Sequence, residues 1–343
     1  MAAALALRAR GEEVIGCDAG AGEGAALAAA AGRLRAAGVE VHLDASGEAL
    51  AAGGAGTLIK SPGVPQDAPA VVAARERGVP VLGELELAWR LIPNEFIAVT
   101  GTNGKTTTTE WIGHIHREAG LPVAIAGNVG TAASSFAGSL SSEATVVCEA
   151  SSFQLEDCDA FAPELAVLLN LFPDHLDRHP SYEDYVQAKL KIFAHQGPGD
   201  VAVVPAELGT QGLAGHAQRV TFGAGPEVEL CAQVSLPGEH NRRNAMAAAT
   251  VCLARGLPHA AIVAGLESFA GVAHRLEPIA ARGGVSWVND SKATNVASTR
   301  VALRSYPGGV HLIAGGRGKQ QDFAPLAPLV AERCKAVYLI GEA

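Results

Sequence analysis

A glycine-rich turn between an apolar run and a helical segment constrains the fold of this chain more than any other feature. The turn belongs to residues 98–109, which have the sequence AVTGTNGKTTTT. The preceding residues 95–99 are typical of a buried strand, and residues 107–117 are typical of a helix. The N–H groups at the start of such a helix can surround phosphate oxygens. The segment therefore predicts an α/β domain that binds a nucleotide triphosphate.

Lys105 and Thr106 carry the clearest chemistry of this turn. The lysine is expected to neutralise the β- and γ-phosphates, and the threonine hydroxyl is expected to be a ligand of Mg²⁺. The spacing is that of a variant P-loop, because the first glycine of the general pattern is replaced by Val99. An ordinary strand-to-helix turn without a ligand is the alternative, but it does not account for the lysine. The loop itself comprises Gly101, Thr102, Asn103 and Gly104.

The composition is that of a globular protein and argues against a nucleic-acid partner. With 343 residues, 48% of them hydrophobic, the chain is long enough for about two or three domains. The net charge of −9 argues against a nucleic-acid surface. The six cysteines are scattered without a C-x-x-C pair, which predicts reduced thiols in the cytoplasm. We do not interpret the apolar residues 1–10 as a signal peptide, and no apolar run reaches the ~20 residues of a membrane span.

Alternating helices and strands divide the chain into three α/β units with parallel sheets. We predict their bounds as 1–92, 93–272 and 273–343. The first unit begins with a helix, whereas a doubly wound domain begins with a strand and a glycine turn, so we expect this unit to lack its first strand. The third unit has only 71 residues, and we expect it to be truncated. The predicted strands lie at 13–18, 39–43, 57–60, 95–100, 144–149, 165–171, 200–205, 285–288, 310–314 and 336–340.

Polar residues follow two apolar strands of the central unit. Glu149 ends the first of these strands, where a carboxylate suits a hard cation beside phosphates, and a capping or surface role is the weaker alternative. The loop 170–179 follows the second strand and carries many titratable groups, which is typical of binding or reactive loops. In this loop His175 is a candidate metal ligand, while Asp174 and Asp177 could simply cap the next helix.

Two helices carry polar residues whose roles the sequence leaves open. Lys189 lies on the helix predicted for 185–193 and faces inward if the apolar residues of that helix do. Most helical lysines are solvated, so the sequence alone gives Lys189 little weight. Asn241 and Asn244 lie three residues apart at the start of another helix, where they could present amides to an adenine or a ribose. Capping of that helix is the alternative.

Turns in the two outer units provide further candidate contacts. Asp18 ends a strand where such folds meet a ribose or base, and Ser61 to Gly63 form a rigid turn after a later strand. Helix capping and an ordinary loop are the respective alternatives. In the third unit, basic residues stand beside polar ones or glycine at 274–275, 289–295 and 315–319. We interpret these turns as parts of a cleft that handles several anionic groups.

A series of short motifs runs along nearly the whole chain. They are GTNGKTTT at 101–108, GNVG at 127–130, EASSFQLE at 149–156, DHLDRH at 174–179, AK at 188–189, GEHNRRN at 238–244, HR at 274–275 and NDSKATN at 289–295. In this order the motifs resemble those of the Mur ligases of peptidoglycan synthesis. The SSFQLE and NDSKATN runs look like those of the branch that adds D-glutamate.

This resemblance implies an activity, cofactors and partners. The activity is an ATP-dependent amide ligation that joins D-glutamate to UDP-N-acetylmuramoyl-L-alanine through an acyl phosphate, with two Mg²⁺ ions. In such a ligase the units 1–92, 93–272 and 273–343 would bind the UDP-sugar, ATP and the amino acid, respectively. The resemblance also implies a cytoplasmic enzyme, and we expect a monomer without nucleic-acid or membrane partners. Compared with the family, we expect the glycine-rich start of the first domain and the remainder of the third domain to be missing from this sequence.

The resemblance further implies roles for individual residues. Lys105 and Thr106 would hold the triphosphate and the first Mg²⁺, with Glu149 as a further ligand, while His175 and Lys189 would serve the second Mg²⁺. In this family the matching lysine is carbamylated by CO₂, which would turn Lys189 into a carboxylate-like ligand. The implied catalytic residues are Lys189, His175 and Lys292. The implied ATP contacts outside the loop are Asn241, Asn244, Arg275 and Asp290. The implied substrate contacts are Asp18, Ser61, Gly63, Asn128, Ser151, Thr294 and Lys319.

Three alternatives stay open at the level of sequence. The nearest is another Mur ligase or a folylpolyglutamate-type ligase with a different amino acid, from which the SKATN segment would separate this chain. A P-loop NTPase without ligation chemistry is the second, and it predicts no lysine facing a metal. A non-catalytic UDP-sugar-binding protein is the third, and Lys105 argues against it.

Overall fold

The fold was analysed in a computed structural model of the chain. It describes residues 1–20, 24–43, 45–128, 130–176, 178–234, 236, 238–316 and 322–342. Two residues of the sequence analysis, Asp177 and Lys319, lie outside the described residues. Within the described ranges, no helix is both long enough and apolar enough to cross a membrane.

The N-terminal residues form two separate two-stranded parallel sheets with helices around them. In the first sheet β1 pairs with β2, and in the second β3 pairs with β4. The described elements, in chain order, are α1 (Ala2–Ala9), β1 (Ile15–Asp18), α2 (Ala25–Ala36), β2 (Glu40–Leu43), α3 (Glu48–Ala52), β3 (Leu58–Lys60), α4 (Pro69–Glu76), β4 (Val81–Gly83) and α5 (Glu84–Leu91).

The central residues build one six-stranded sheet in the order β10-β9-β8-β5-β7-β6, with every pair parallel. Since β5 lies between β7 and β8, the chain continues to one side of β5 first and to the other side later, which makes this the switch point where such sheets bind ligands. The elements are β5 (Phe96–Thr100), α6 (Lys105–Glu118), β6 (Val123–Gly127), β7 (Thr145–Glu149), α7 (Ser152–Glu156), β8 (Leu165–Leu168), α8 (Tyr182–Leu190), β9 (Val201–Pro205), β10 (Gln218–Phe222), α9 (Glu227–Leu230), α10 (Glu239–Ala254) and α11 (His259–Ser268).

Burial on both faces explains why the central strands are continuous apolar runs. All five residues of β5 and of β7 are buried, as expected for parallel strands that are covered by helices on each side. On one face, Trp111 of α6 is fully buried and donates its indole N–H to the carbonyl of Gly265, 3.0 Å away in α11. On the other face, Leu85 of α5 and Phe161 are fully buried. The sheet edge with the P-loop is thus held by two well-packed layers.

The third unit contains one antiparallel hairpin, and there the expectation of parallel sheets is wrong. Strand β11 (Glu277–Arg282) pairs antiparallel with β12 (Val285–Asn289). The two connecting residues, Gly283 and Gly284, have φ angles of 58° and 75°, which suit the two-residue turns that match the twist of a hairpin. The remaining elements are α12 (Val296–Arg304), β13 (Val310–Gly316), α13 (Ala327–Arg333) and β14 (Cys334–Gly341), with β13 and β14 parallel.

Several predicted bounds differ from the structure at the ends that form the site. The helix after the P-loop begins at Lys105 rather than at residue 107, so the lysine itself belongs to the first turn. The strand predicted for 165–171 ends at Leu168, and the helix predicted for 185–193 is α8 followed by a short 3₁₀ turn at Lys191–Phe193. The domain bounds at 92 and 272 stay predictions.

Candidate functional site

The P-loop turn depends on a glycine at the N-cap of α6. Gly104 has a φ of 87°, a left-handed conformation that favours glycine. A Cβ atom at this position would also overlap with the side-chain amide of Asn244, which comes from the first part of α10. The loop and one of the two predicted nucleotide-binding asparagines therefore meet at the glycine.

Asn170 fixes the other side of the loop. Its carbonyl accepts from the Thr102 N–H at 3.0 Å, and its side-chain oxygen accepts from the Asn103 N–H at 2.9 Å. In return, the Asn170 amide donates to the carbonyl of Asn103 at 3.0 Å. Because Asn170 follows β8 and the loop follows β5, these bonds continue the pairing of the two strands past the sheet edge. The sequence analysis did not single out Asn170.

The Thr102 hydroxyl is saturated by two neighbours. It lies 3.1 Å from the carbonyl of Phe172, 2.9 Å from the N–H of Phe172 and 2.9 Å from the hydroxyl of Tyr185. A hydroxyl has one proton and two lone pairs, so Thr102 donates to the carbonyl and accepts from the N–H and from Tyr185. Tyr185 is 1% exposed and was missed in the sequence analysis, although it lies four residues before Lys189.

Two lysines converge on one carbonyl of the loop. The Lys105 ammonium donates to the carbonyls of Gly101 and Thr102 at 3.0 and 2.9 Å, and the Lys189 ammonium donates to Gly101 at 2.8 Å. Lys189 is 2% exposed, and its ammonium lies over the Tyr185 ring, 4.7 Å from the centroid. Burial, reinforced by the charge of Lys105, holds the pKa of Lys189 well below its usual value. Burial also lowers the pKa of Lys105.

A hydrogen-bonded network joins Glu149 to the loop. The Thr106 hydroxyl donates to one carboxylate oxygen of Glu149 at 2.7 Å, and the Asn128 amide donates to the other at 3.1 Å. Arg275 of the third unit donates to the Thr106 hydroxyl at 3.0 Å. Glu149 is 3% exposed, so its carboxylate is held in place in the interior. The site thus brings two lysines and an arginine close to an ordered, buried carboxylate.

Thr106 and Glu149 fit a first Mg²⁺ directly, whereas a second Mg²⁺ site depends on the charge of Lys189. The Thr106 hydroxyl and the Glu149 carboxylate are adjacent hard oxygen donors, and Mg²⁺ takes few protein oxygens beside phosphate and water. Among the residues that the structure describes, no group of three His, Cys, Asp or Glu side chains could hold a metal alone. Lys189 as an ammonium is a donor and cannot be a ligand, so a second site needs this lysine to lose its positive charge.

A cavity of about 180 Å³ collects these groups at the carboxyl edge of the sheet. Six residues singled out from the sequence line it: Thr102, Lys105, Asn128, Ser151, His175 and Lys189. The other lining residues are Ser152, Phe153, Asp174 and Tyr185. His175 has a φ of 54°, its N–H donates to the Asp174 carboxylate at 3.0 Å, and the Phe153 ring packs against its imidazole at 4.9 Å.

Two residues of the third unit, Arg275 and Asn295, contact the site. Two others that were predicted to bind substrate do not line the cavity. The Asn295 amide donates to the Asp174 carboxylate at 2.9 Å, and Arg275 reaches Thr106 as described. Lys292 and Thr294 are exposed and do not line this cavity, and their contact with D-glutamate stays a prediction. Asp290 accepts from the Leu276 N–H at 3.0 Å, and burial raises its pKa.

The other predicted contacts have structural partners of their own. Asp18 is exposed at the end of β1 and accepts from the Gly20 N–H at 2.8 Å. Ser61 and Gly63 are exposed in the turn after β3, where the Ser61 carbonyl accepts from Val64 at 3.0 Å. Ser151 caps α7, and Asn241 is 8% exposed on α10.

We expect a Gly104→Ala substitution to weaken ATP binding more than it weakens the fold. A left-handed alanine costs roughly 1–2 kcal/mol, and its Cβ would push Asn244 away from the loop. Gly120→Ala is the matched control, because Gly120 lies at the other end of α6 with a φ of 69° and with open space around its missing Cβ. Calorimetric titration with ATP should show a lower affinity for the first variant only. Equal ATP affinity in the two variants would contradict this assignment.

Comparison with known proteins supports the resemblance to the Mur ligases. The sequence model of the Mur ligase middle domain matches residues 99–224. The UDP-N-acetylmuramate-alanine ligase MurC of Thermotoga maritima has a TM-score of 0.59 at 20% identity, covering 96% of this chain and 91% of that chain. MurF of Acinetobacter baumannii has a TM-score of 0.58 at 24% identity, covering 74% of this chain and 70% of that chain. At these identities the structures show the fold alone. The chain thus has the fold that Mur ligases share.

The curated relatives narrow the class further. The UDP-N-acetylmuramoylalanine–D-glutamate ligase of Acidobacterium capsulatum is 39% identical over 380 residues, which cover 100% of this chain and 80% of the relative. The corresponding ligase of Anaeromyxobacter dehalogenans is 43% identical over 329 residues, which cover 84% of this chain and 70% of the relative. The chain therefore belongs to the family of UDP-N-acetylmuramoylalanine–D-glutamate ligases, and the resemblance stated from its motifs is confirmed. ATP and Mg²⁺ are the cofactors of this family.

Proposed function

We propose that this chain joins D-glutamate to UDP-N-acetylmuramoyl-L-alanine at the expense of ATP, in the cytoplasm and as a monomer. The observation that carries the proposal is the placement of Lys105 against the loop after β5 and of Arg275 on Thr106, beside the buried carboxylate of Glu149. Two cationic groups at the start of α6 suit a reaction in which a triphosphate and a carboxylate, both anionic, must come together. The names of the relatives supply the identity of the substrates.

The chemistry requires activation of a carboxylate. A carboxylate is a poor electrophile, so the alanyl carboxylate oxygen first attacks the γ-phosphorus of ATP, which forms an acyl phosphate and releases ADP. The amine of D-glutamate then attacks the acyl carbon, forms the amide and expels inorganic phosphate. Lys105 and Arg275 stabilise the charge on the phosphoryl oxygens, and Mg²⁺ at Thr106 and Glu149 would neutralise the triphosphate.

The proposal assigns a modified side chain to Lys189. Because burial lowers its pKa, a larger share of this side chain is a neutral amine than in an exposed lysine. A neutral amine can attack CO₂ and, after losing a proton, carry a carbamate with two oxygen donors. Such a group beside His175 would satisfy the second Mg²⁺, since hard cations prefer oxygen ligands. The carbamate would also remove the repulsion between Lys189 and Lys105.

The remaining predicted residues receive roles according to their unit. We assign the uridine diphosphate to the unit of Asp18 and the Ser61–Gly63 turn, and the acyl end of that substrate to Asn128 and Ser151. Asn244 and Asn241 of α10 serve the nucleotide, together with Asp290. We assign the binding of D-glutamate to the third unit, where Lys292, Thr294 and Lys319 would contact it.

Phosphate release tests the proposed function directly. The purified chain is given ATP, Mg²⁺ and UDP-N-acetylmuramoyl-L-alanine with D-glutamate, L-glutamate, L-alanine or diaminopimelate in separate reactions. We expect release only with D-glutamate, accompanied by the sugar-dipeptide product in mass spectrometry. Release that follows another amino acid would show that the chain has a different substrate.

A further inference from the structure

Asp157 connects the central unit with three segments of the first unit. Its carboxylate is in ion-pair contact with the Lys60 ammonium, 2.6 Å away, and its second oxygen accepts from the Gln66 amide at 2.8 Å. Its backbone carbonyl accepts from the Gly83 N–H at 2.9 Å. Lys60 ends β3 and Gly83 ends β4, so both strands of one sheet are anchored on a single residue.

The ion pair is buried, which gives it one preferred geometry. The side chains of Lys60 and Asp157 are 2% and 3% exposed. An exposed pair contributes little, whereas a buried ion that loses its partner stays uncompensated. The backbones also approach closely, because a Cβ at Gly83 would lie 3.0 Å from the Cβ of Asp157. The two units therefore cannot slide past each other here without breaking the pair.

The pair stands between two predicted substrate contacts. Lys60 immediately precedes the turn of Ser61 to Gly63, which the proposed function assigns to the diphosphate. Asp157 immediately follows α7, which begins at Ser152 and is capped by Ser151, and both serines lie on the wall of the cavity. Because α7 has only five residues, it spans about 7.5 Å. The turn and the cavity wall are thus attached to opposite ends of one short, rigid element.

We propose that Lys60 and Asp157 are positioning residues for the sugar-nucleotide substrate. The pair holds the Ser61–Gly63 turn at a fixed distance from the cavity, so that the diphosphate and the alanyl carboxylate of one molecule reach their places together. Neither side chain touches the reacting atoms, and both act through the turn and α7. The inference rests on the proposed function, since it uses the substrate assigned there.

Paired substitutions separate positioning from folding. The single variant Lys60→Met leaves a buried carboxylate without its cation and should melt at a lower temperature. The double variant Lys60→Met with Asp157→Asn removes both charges and keeps the oxygen that accepts from Gln66, so it should melt at a higher temperature than the single variant. We expect the double variant to raise KM for UDP-N-acetylmuramoyl-L-alanine about tenfold and to leave KM for ATP unchanged.

Lys191 supplies the matched control. It is exposed, and its ammonium donates to the carbonyl of Glu156, the residue before Asp157, without leaving the central unit. Lys191→Met should leave both KM values unchanged. A double variant with the wild-type KM for the sugar nucleotide, or with equal rises in both KM values, would overturn the inference.

Hydrogen exchange distinguishes failure of this inference from failure of the proposed function. If the wild type releases no phosphate with the proposed substrates, the proposed function falls. The positioning itself is then read from amide exchange in residues 58–66 and 151–157, which should be faster in the double variant than in the wild type and in Lys191→Met. Unchanged exchange in both segments would refute the coupling whatever the substrate is.

Discussion

Replacing Lys105 with methionine is expected to lower the rate of phosphate release by about a thousandfold, the effect of removing one preorganised charge from a transition state. Among the described residues, the ammonium donates hydrogen bonds to two carbonyls of its own loop, so the variant should fold and melt like the wild type. Lys105→Arg should recover little of the rate, because a planar guanidinium cannot occupy the position between the carbonyls of Gly101 and Thr102 in the same way. Steady-state kinetics and thermal melting measure both quantities.

A rate for Lys105→Met within tenfold of the wild type would contradict the assignment of this lysine to the γ-phosphate. A parallel fall in melting temperature would instead indicate that the loop had collapsed. The two readings are separable, because the first leaves the thermal transition in place.

Lys189→Ala is expected to lose at least a hundredfold in rate, the upper range for disturbing a metal-binding arrangement. Part of that rate should return on addition of acetate or formate, because a small carboxylate can occupy the space of the missing carbamate. Lys105→Met is the control, since it lacks a cation and no added carboxylate can replace one. The rate is measured against carboxylate concentration at constant ionic strength.

Failure of both carboxylates to restore Lys189→Ala would count against the carbamate. In the wild type, the dependence of the rate on added bicarbonate is an independent test of the carbamate. Because burial lowers the pKa of Lys189, activation by bicarbonate should persist to lower pH than an exposed lysine would allow. Activation that appears only at the pH where exposed lysines lose their protons would contradict the role of burial.

The sequence predicted the parts of the site that local patterns encode. The lysine at the start of α6 and the carboxylate at the end of β7 follow from the positions of a glycine turn and of an apolar run. Since parallel strands end at the same edge, their convergence was predictable as well. The family and the class of enzyme followed from the order of the motifs, and the comparisons confirm both.

Residues that act through tertiary contacts could not be predicted in this way. Asn170, which follows β8, and Tyr185 of α8 support the loop, and no local signal marks an asparagine or a tyrosine for that task. The inward direction of Lys189 depends on how α8 packs, which outweighs the usual preference of lysine for solvent. The antiparallel hairpin, by contrast, had a local signal in Gly283 and Gly284 that the sequence analysis did not use.

The bonds from Arg275 to Thr106 and from Asn295 to Asp174 have a consequence for the release of products. Both bonds originate in the third unit and end on the central one. A rotation of the third unit that separates these residues breaks both bonds and, under the proposed function, would withdraw a guanidinium charge from the nucleotide beside Thr106. Under that function, separation of the two units and a weaker electrostatic hold on ADP would be one event.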